Sequence, residues 1–152
     1  MDLEAALPLL LPRAIAWAEE QERDIIASGV QLSPDQVAMA RGVGVARPED
    51  IRVKLVDALP LPPDPILAAA AVQIGLLGPN MTGLTLGHGI FMCRRASGSR
   101  NLMAHECRHV HQYEQHGSIA AFLHQYLPQI VTQEYENAPL EQDARRAAAA
   151  YA

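Results

Sequence analysis

The segment around residue 105 constrains this chain more than any other part of its sequence. Residues 101–116 read NLMAHECRHVHQYEQH, which contains the pattern H-E-x-x-H at His105, Glu106 and His109. On a helix, positions four apart lie on one face about 6 Å from each other, so both imidazoles can bind a single cation. Glu106 then lies beside that face, where a carboxylate can contact a metal-bound water and act as a general base. The pattern predicts a two-histidine zinc site, although three fixed residues also arise on amphipathic helices with surface histidines.

The residues around the motif indicate where its helix begins and ends. The polar loop at 97–101 offers N-cap residues, and Gly117 suits the position after the last helical residue. Four polar side chains fall on one stripe, apart from the apolar residues: His105, His109, Gln112 and His116. Such a stripe suggests that the helix lines a cleft. Gln112 on this stripe is placed to hydrogen-bond a carboxylate ligand of the metal.

A third metal ligand is expected outside this helix, because catalytic zinc usually has three protein ligands and one water. Residues 137–144 read NAPLEQDA, which is typical of a helix start and bears carboxylates. The carboxylates in this region are Glu134, Glu136, Glu141 and Asp143. An acidic residue in the first turn of a helix is favoured by the helix dipole in any case. The residues alone therefore leave the choice among these four open.

Length and charge limit the other classes of function. A chain of 152 residues, 49% of them hydrophobic, can bury one core, so we expect a single domain over residues 1–152. The net charge is −5 and the basic residues are scattered, so neither nucleic acid nor a membrane surface is predicted as a partner. The two cysteines, Cys93 and Cys107, lack the spacing of a zinc ribbon or redox pair and are interpreted as small apolar residues, with a disulfide left open.

No segment is predicted to target or anchor the chain. The apolar run at 7–18 follows acidic residues rather than basic ones and is interrupted by two prolines and an arginine, unlike a secretory signal. No stretch approaches the roughly 20 apolar residues that span a bilayer. We therefore expect a cytoplasmic protein.

Periodicity predicts an α+β fold of about six helices on a small, mainly antiparallel sheet. Besides the motif helix, helices are expected over 12–28, from 33 to 42 or 44, over 66–77, over 119–135 with a bend or break near Pro128, and from Pro139 onwards. Residues 50–56 and 83–92 alternate as strands. Gly87 and Gly89 share a face of the second strand. The absence of side chains there indicates that a helix packs closely on the strand or, in a peptidase, that an extended substrate binds it; we favour the helix. His88 between them is a candidate for substrate contact, although a partly exposed histidine with no metal role is favoured.

Two motifs in order resemble a bacterial group of zincin-like domains of unknown function. Those domains share a strand T-x-G-x-x-I followed by a helix L-x-A-H-E-x-x-H-V-x-Q. The matching strand residues are Thr85, Gly87 and Ile90, and the matching helix residues are Leu102, Ala104, His105, Glu106, His109, Val110 and Gln112. The likeness extends to Pro139-x-Glu141-x-x-Ala144, which is similar to the segment that supplies a glutamate ligand in related sequences. The resemblance implies a zincin-like fold and a gluzincin-type site, with His105, His109 and Glu141 as ligands of one zinc ion and Glu106 as the base.

The longer pattern H-E-x-x-H-x-x-G-x-x-H of the metzincins is not met. Gln112 stands where that pattern has glycine, and Gln115 stands where it has the third histidine. The other histidines, His111, His116 and His124, are interpreted as facing solvent or lying behind the ligands.

These observations predict a zinc-dependent metallopeptidase that hydrolyses a peptide or protein substrate. Zinc would polarise the scissile carbonyl and activate a water, and Glu106 would take the proton from that water and pass it to the leaving amine. Tyr113, Tyr135 and His88 are candidates for stabilising the oxyanion.

Two other interpretations compete with the peptidase. The first is a catalytically inactive zinc-binding domain that acts as a structural or interaction module, which the small size of the chain favours. Glu106 argues against it, because structural zinc has four protein ligands and needs no base. In the second interpretation the chain binds no metal and is a helical domain whose histidines face solvent.

Overall fold

A computed structural model describes residues 1–152 as six α-helices and four strands, with short 3-10 turns between them. The helices are α1 (Leu3–Ser28), α2 (Pro34–Gly42), α3 (Pro65–Gln73), α4 (Arg100–His116), α5 (Ile119–Gln133) and α6 (Pro139–Ala148). The strands are β1 (Val30–Gln31), β2 (Arg52–Val56), β3 (Gly83–Leu86) and β4 (Gly89–Cys93). The predicted α+β class is confirmed. None of the helices has both the length and the apolar character needed to cross a membrane.

The sheet is mixed, where a mainly antiparallel sheet was expected. Its strand order is β1-β2-β4-β3, with antiparallel pairs at both edges and a parallel pair, β2 with β4, at the centre. A parallel pair needs a long crossover between its strands. Here α3 and β3 lie between β2 and β4 in the chain, which gives enough length to return to the same end of the sheet.

The segment predicted as one strand over 83–92 is a hairpin. Its turn lies at Gly87 and His88, and Gly87 has φ +67°, in the left-handed region that favours glycine. In a hairpin with a two-residue turn, the residues paired across the turn, Leu86 and Gly89, lie on the same face of the sheet. Apolar residues that were predicted to share one face therefore lie on opposite faces before and after the turn. Leu86 packs in a core with α1 and α5, whereas Ile90 and Met92 pack in a core with α2 and α4.

Helix α1 accounts for the two glycines of this hairpin. A side chain at Gly89 would lie 3.0 Å from Ile25 of α1, and one at Gly87 would collide with the carboxylate of Glu22, also on α1. The favoured interpretation, a tightly packed helix, is therefore confirmed.

Three helices differ from their predicted ranges. Helix α3 ends at Gln73, four residues before the predicted end at Leu77. Helix α1 begins at Leu3, capped by Asp2, rather than at residue 12. Its first turns pack on α3 through Leu10, Leu67 and Ala70, and this tertiary contact outweighs the two prolines within the helix. Helix α5 continues through Pro128 to Gln133 without a break.

The two cores lie on opposite faces of the sheet, and α4 contributes to both. Met103, Cys107 and Val110 of α4 pack in one core and Tyr113 packs in the other. Cys93 and Cys107 are both buried and free, which confirms them as small apolar residues. Helix α4 is thereby fixed along most of its length, and this is the helix that carries the H-E-x-x-H pattern.

Candidate metal centre

Helix α4 has the boundaries that the sequence predicted, and it brings the two motif histidines together. Ser99 caps its start by accepting a hydrogen bond from the Leu102 backbone, and Gly117 ends it at φ +90°. The ring centroids of His105 and His109 are 4.9 Å apart. The His109 ring is buried, while His105 is half-buried. One face of α4 therefore presents two imidazoles to one point.

Glu141 on α6 completes the group. Its carboxylate bridges the histidines: Oε1 lies 3.1 Å from Nε2 of His105, and Oε2 lies 2.8 Å from Nε2 of His109. Only 1% of Glu141 is exposed, although it is an ionisable residue. One ligand atom from each of the three residues lies within 4.8 Å of the others, close enough to bind a metal ion. The structure thus assembles all three predicted ligands.

The start of α6 is built so that Glu141 points inwards. Pro139 occupies the first turn, and Ala138 provides no side-chain cap. Instead, Gln129 of α5 accepts a hydrogen bond from the Leu140 N–H at 3.1 Å. A carboxylate in the first turn is also favoured by the helix dipole. Helix α5 therefore helps to fix the angle at which α6 delivers its ligand.

The donor set fits zinc. Two imidazole nitrogens and one carboxylate oxygen form the His₂Glu set found at some catalytic zinc ions, which leave a fourth position for water. With metal–ligand bonds of 2.0–2.1 Å in a tetrahedral site, neighbouring ligand atoms are about 3.4 Å apart. The distances of 2.8 and 3.1 Å between Glu141 and the histidines are shorter than this by about 0.6 and 0.3 Å, and no two of the three ligand atoms are more than 4.8 Å apart.

The electrostatics of the group also favour a cation. Burial raises the pKa of Glu141, but the adjacent His109 and His105 outweigh it and hold that pKa well below the ordinary value. Burial lowers the pKa of His109, yet the Glu141 carboxylate outweighs this effect and raises the pKa to about 9. A buried carboxylate needs a positive partner. Without a metal, the raised pKa of His109 favours a protonated ring as that partner.

Gln112 hydrogen-bonds the ring of His109 and thereby orients it, which is not the contact that the sequence predicted. The Oε1 atom of Gln112 lies 2.8 Å from Nδ1 of His109, which directs Nε2 of that ring towards Glu141. The side-chain amide donates to the Leu140 carbonyl at 2.9 Å and to Asp143 at 2.8 Å. Gln112 was expected to bond a ligand carboxylate; it lies one turn beyond His109 on the helix and contacts that ring instead. The hydrogen bond fixes the ring of a ligand, as surrounding residues do at metal sites.

The other carboxylates near α6 are engaged or exposed. Asp143 accepts two hydrogen bonds from Arg108, at 2.8 and 3.1 Å, and its pKa is lowered, first by Arg108 and also by Gln112. Glu134 and Glu136 are exposed. Glu141 is therefore the carboxylate that joins the histidines.

Tyr126 on α5 is a site residue that the sequence analysis did not identify. Its hydroxyl donates to Oε2 of Glu141 at 2.7 Å, and its ring lies edge-on to His109 with centroids 6.0 Å apart. Burial, and then the Glu141 charge, raise the pKa of this phenol well above its ordinary value, so it stays a donor. A tyrosine on the apolar face of a buried helix needs a hydrogen-bond partner, and this was the available signal.

Glu106 lies beside the ligands in a narrow space. It is buried, and its Oε1 accepts a hydrogen bond from the Thr85 hydroxyl at 2.8 Å. A Cβ at Gly83 would lie 3.0 Å from the Glu106 carboxylate. Thr85 and Gly83 of β3 therefore orient the carboxylate and leave room for it, a role that the sequence analysis did not assign to either.

Glu106, His109 and Glu141 line one end of an apolar pocket of about 120 Å³. Tyr113 and Tyr135, two of the oxyanion candidates, line the same pocket. The hydroxyl of Tyr113 donates to the Thr85 carbonyl at 3.2 Å. Burial and the Glu141 charge raise the pKa of Tyr135. Glu106, two of the three candidate ligands and three tyrosines, including Tyr126, thus line one pocket.

His88 lies outside this group. It is part of the hairpin turn, its Nε2 is 2.9 Å from Glu114, and its backbone N–H donates to Glu22 at 2.9 Å. It lines a separate polar cleft with these two glutamates. The favoured interpretation, a histidine with no metal role, agrees with this position.

The three remaining histidines do not join the group either. His111 contacts the Gly44 carbonyl and His116 contacts the Gln112 carbonyl, while His124 is exposed.

Comparison of the chain with models of protein families, with curated proteins and with solved structures gave no match.

Proposed function

We propose that this chain is a zinc-dependent metallopeptidase that uses His105, His109 and Glu141 as ligands and Glu106 as general base. The observation that carries the proposal is the convergence of these three ligand atoms within 4.8 Å, at a pocket that Glu106 also lines. A purely structural metal site would need no free carboxylate in the adjoining pocket. The resemblance of the two sequence motifs to zincin-like domains supports the same conclusion.

A zinc ion held by these residues would polarise a substrate carbonyl and lower the pKa of a bound water to about 7. The remaining steps belong to the side chains. Glu106, oriented by Thr85, takes a proton at its carboxylate and delivers it to the leaving amine. Gln112 and Tyr126 hold His109 and Glu141 in place, so the ligands need not reorganise during turnover.

The edge strand β3 supports a peptide as the substrate. The Cys93 N–H donates to the Thr82 carbonyl. Because antiparallel strands bond at alternate residues, the next residue, Gly83, directs its N–H and C=O away from β4. Gly83 also adjoins Glu106. The next outward-facing carbonyl, that of Thr85, accepts from Tyr113. An extended peptide would therefore pair with this edge at Gly83, next to the proposed base.

The substitution Glu106→Gln tests the chemistry. It keeps the shape of the side chain and leaves the three ligands intact, but an amide cannot accept the proton. We expect the variant to bind one zinc per chain, as the parent does, and to lose about 10²- to 10⁴-fold in kcat for hydrolysis of a peptide mixture. Metal content and product formation by mass spectrometry are the measurements.

Glu136→Gln is the matched control, since Glu136 is exposed and does not belong to the group of three candidate ligands. Its activity should equal that of the parent. A parent that binds zinc but cleaves no peptide would contradict the proposal and leave a zinc-binding interaction module. Equal activity in the parent and in Glu106→Gln would show that Glu106 is not the base.

A further inference from the structure

The pocket beside Glu106 is polar at one end only. That end holds Glu106, His109 and Glu141 together with the Thr85 and tyrosine hydroxyl groups. From there the pocket extends between α1, α3 and α5, where its walls are apolar, as at Leu7, Ala71 and Leu127. The site and the apolar walls form one continuous space.

Charge limits what this space can bind. The only carboxylates that line the pocket are those of Glu106 and Glu141, and the only imidazole is that of His109. No lysine, arginine or aspartate lines it. Glu141 already contacts both histidines, and Glu106 accepts a hydrogen bond from Thr85. A charged group among the apolar walls, away from Glu106, would lose its hydration with no partner in return. The pocket is therefore suited to an uncharged, apolar group.

The volume of the pocket further limits which apolar groups it can bind. An engineered apolar cavity of about 150 Å³ in another protein binds benzene. The pocket here measures about 120 Å³, which matches one leucine or phenylalanine side chain. By the same comparison, it has room for about five carbon atoms, enough for a leucine side chain or most of a phenylalanine side chain but far fewer than a long fatty-acyl chain contains.

We infer that this pocket binds one large apolar side chain of the substrate, of leucine or phenylalanine size, next to the cleaved bond. This inference rests on the proposed peptidase function and adds the class of substrate to it. Gly83 and Leu84 of the edge strand line the same pocket. A peptide paired with that edge can therefore direct a side chain into the pocket.

Cleavage of peptides that differ at one residue tests the preference. The zinc-loaded protein would first digest a mixed peptide library to locate cleaved bonds. Peptides with Leu, Phe, Ala, Asp or Lys on either side of such a bond would then be compared. We expect Leu and Phe at one of the two positions to raise kcat/KM at least about 10-fold over Ala, and Asp and Lys to be rejected there.

Ala71→Phe on α3 is designed to fill the pocket, because Ala71 lines it and is only half-buried. The ratio of kcat/KM for Leu over Ala peptides should fall towards one in this variant. Ala69→Phe is the matched control on the same helix: Ala69 is exposed and does not line the pocket, so the ratio should stay at the parent value.

Trp17 gives a second measurement that does not depend on cleavage. It is the only tryptophan in the chain, and it lines the pocket. Titration with N-acetyl-leucinamide should change its fluorescence at concentrations at least about 10-fold lower than N-acetyl-alaninamide requires. Ala71→Phe should remove that difference, and Ala69→Phe should keep it.

The two measurements separate the inference from the proposed function. Cleavage with no preference for Leu or Phe, and equal binding of the two amides, would overturn the inference and leave the peptidase standing. Selective binding of N-acetyl-leucinamide without cleavage of any peptide would overturn the peptidase and the substrate role, leaving only an apolar binding pocket.

Discussion

At the scale of single residues, the sequence predicted the three grouped residues of the candidate metal centre and Glu106, but few of the residues that support them. His105, Glu106 and His109 were identified because a helix fixes the spacing of positions near in sequence. Glu141 was singled out from nearby carboxylates only by resemblance. Tyr126 was not identified because its partner, Glu141, lies on another helix. The spacing of residues along one helix does not indicate a contact between two helices.

The substitution Tyr126→Phe tests this missed support. It removes the hydroxyl that donates to Glu141 but keeps the ring that packs in the core. Because partners of metal ligands typically contribute 10- to 100-fold to metal affinity, we expect the zinc dissociation constant to rise by about that factor. Competition with a chromophoric chelator measures it.

Tyr113→Phe is the control for that experiment. Tyr113 is also buried, but its hydroxyl donates to the Thr85 carbonyl and not to a ligand. Its zinc affinity should stay within about threefold of the parent. If both variants lose affinity equally, the effect of Tyr126 is general packing rather than support of Glu141.

At the scale of elements, helices with local signals were predicted better than the sheet. Helix α4 has its cap and its stop within its own sequence, at Ser99 and Gly117. The hairpin β3–β4 was taken for one strand because Leu84, Leu86, Ile90 and Met92 keep the alternation of a single strand, with only His88 between them. The turn depends on the left-handed conformation of Gly87, and the parallel pairing of β2 and β4 depends on contacts distant in the chain.

Gly87→Ala tests the role of this turn. A methyl group there meets both an unfavourable φ and the Glu22 carboxylate, which accepts the His88 N–H. We expect the free energy of unfolding to fall by about 1–3 kcal/mol, measured by urea denaturation. Gly98→Ala, at a loop position with open space, should change it by less than about 0.5 kcal/mol. Equal changes in the two variants would contradict this account of the hairpin.

At the scale of the whole molecule, the candidate site belongs to no single element. Its ligands come from α4 and α6, the hydroxyl that bonds Glu141 comes from α5, and β3 orients Glu106. Helix α4 contributes side chains to both cores, which fixes its position. The sequence could suggest each contribution separately, but only the packing of α6 against α4 brings Glu141 to the histidines.

The central claim is that His105, His109 and Glu141 form one zinc site. The most direct measurement is the zinc content and affinity of the parent, Glu141→Gln and Glu136→Gln, with circular dichroism to verify that each is folded. We expect about one zinc per chain in the parent and in Glu136→Gln, and at least about 100-fold weaker binding in Glu141→Gln, which loses one of three ligands. A parent without stoichiometric zinc, or a folded Glu141→Gln that binds zinc as tightly as the parent, would contradict the account.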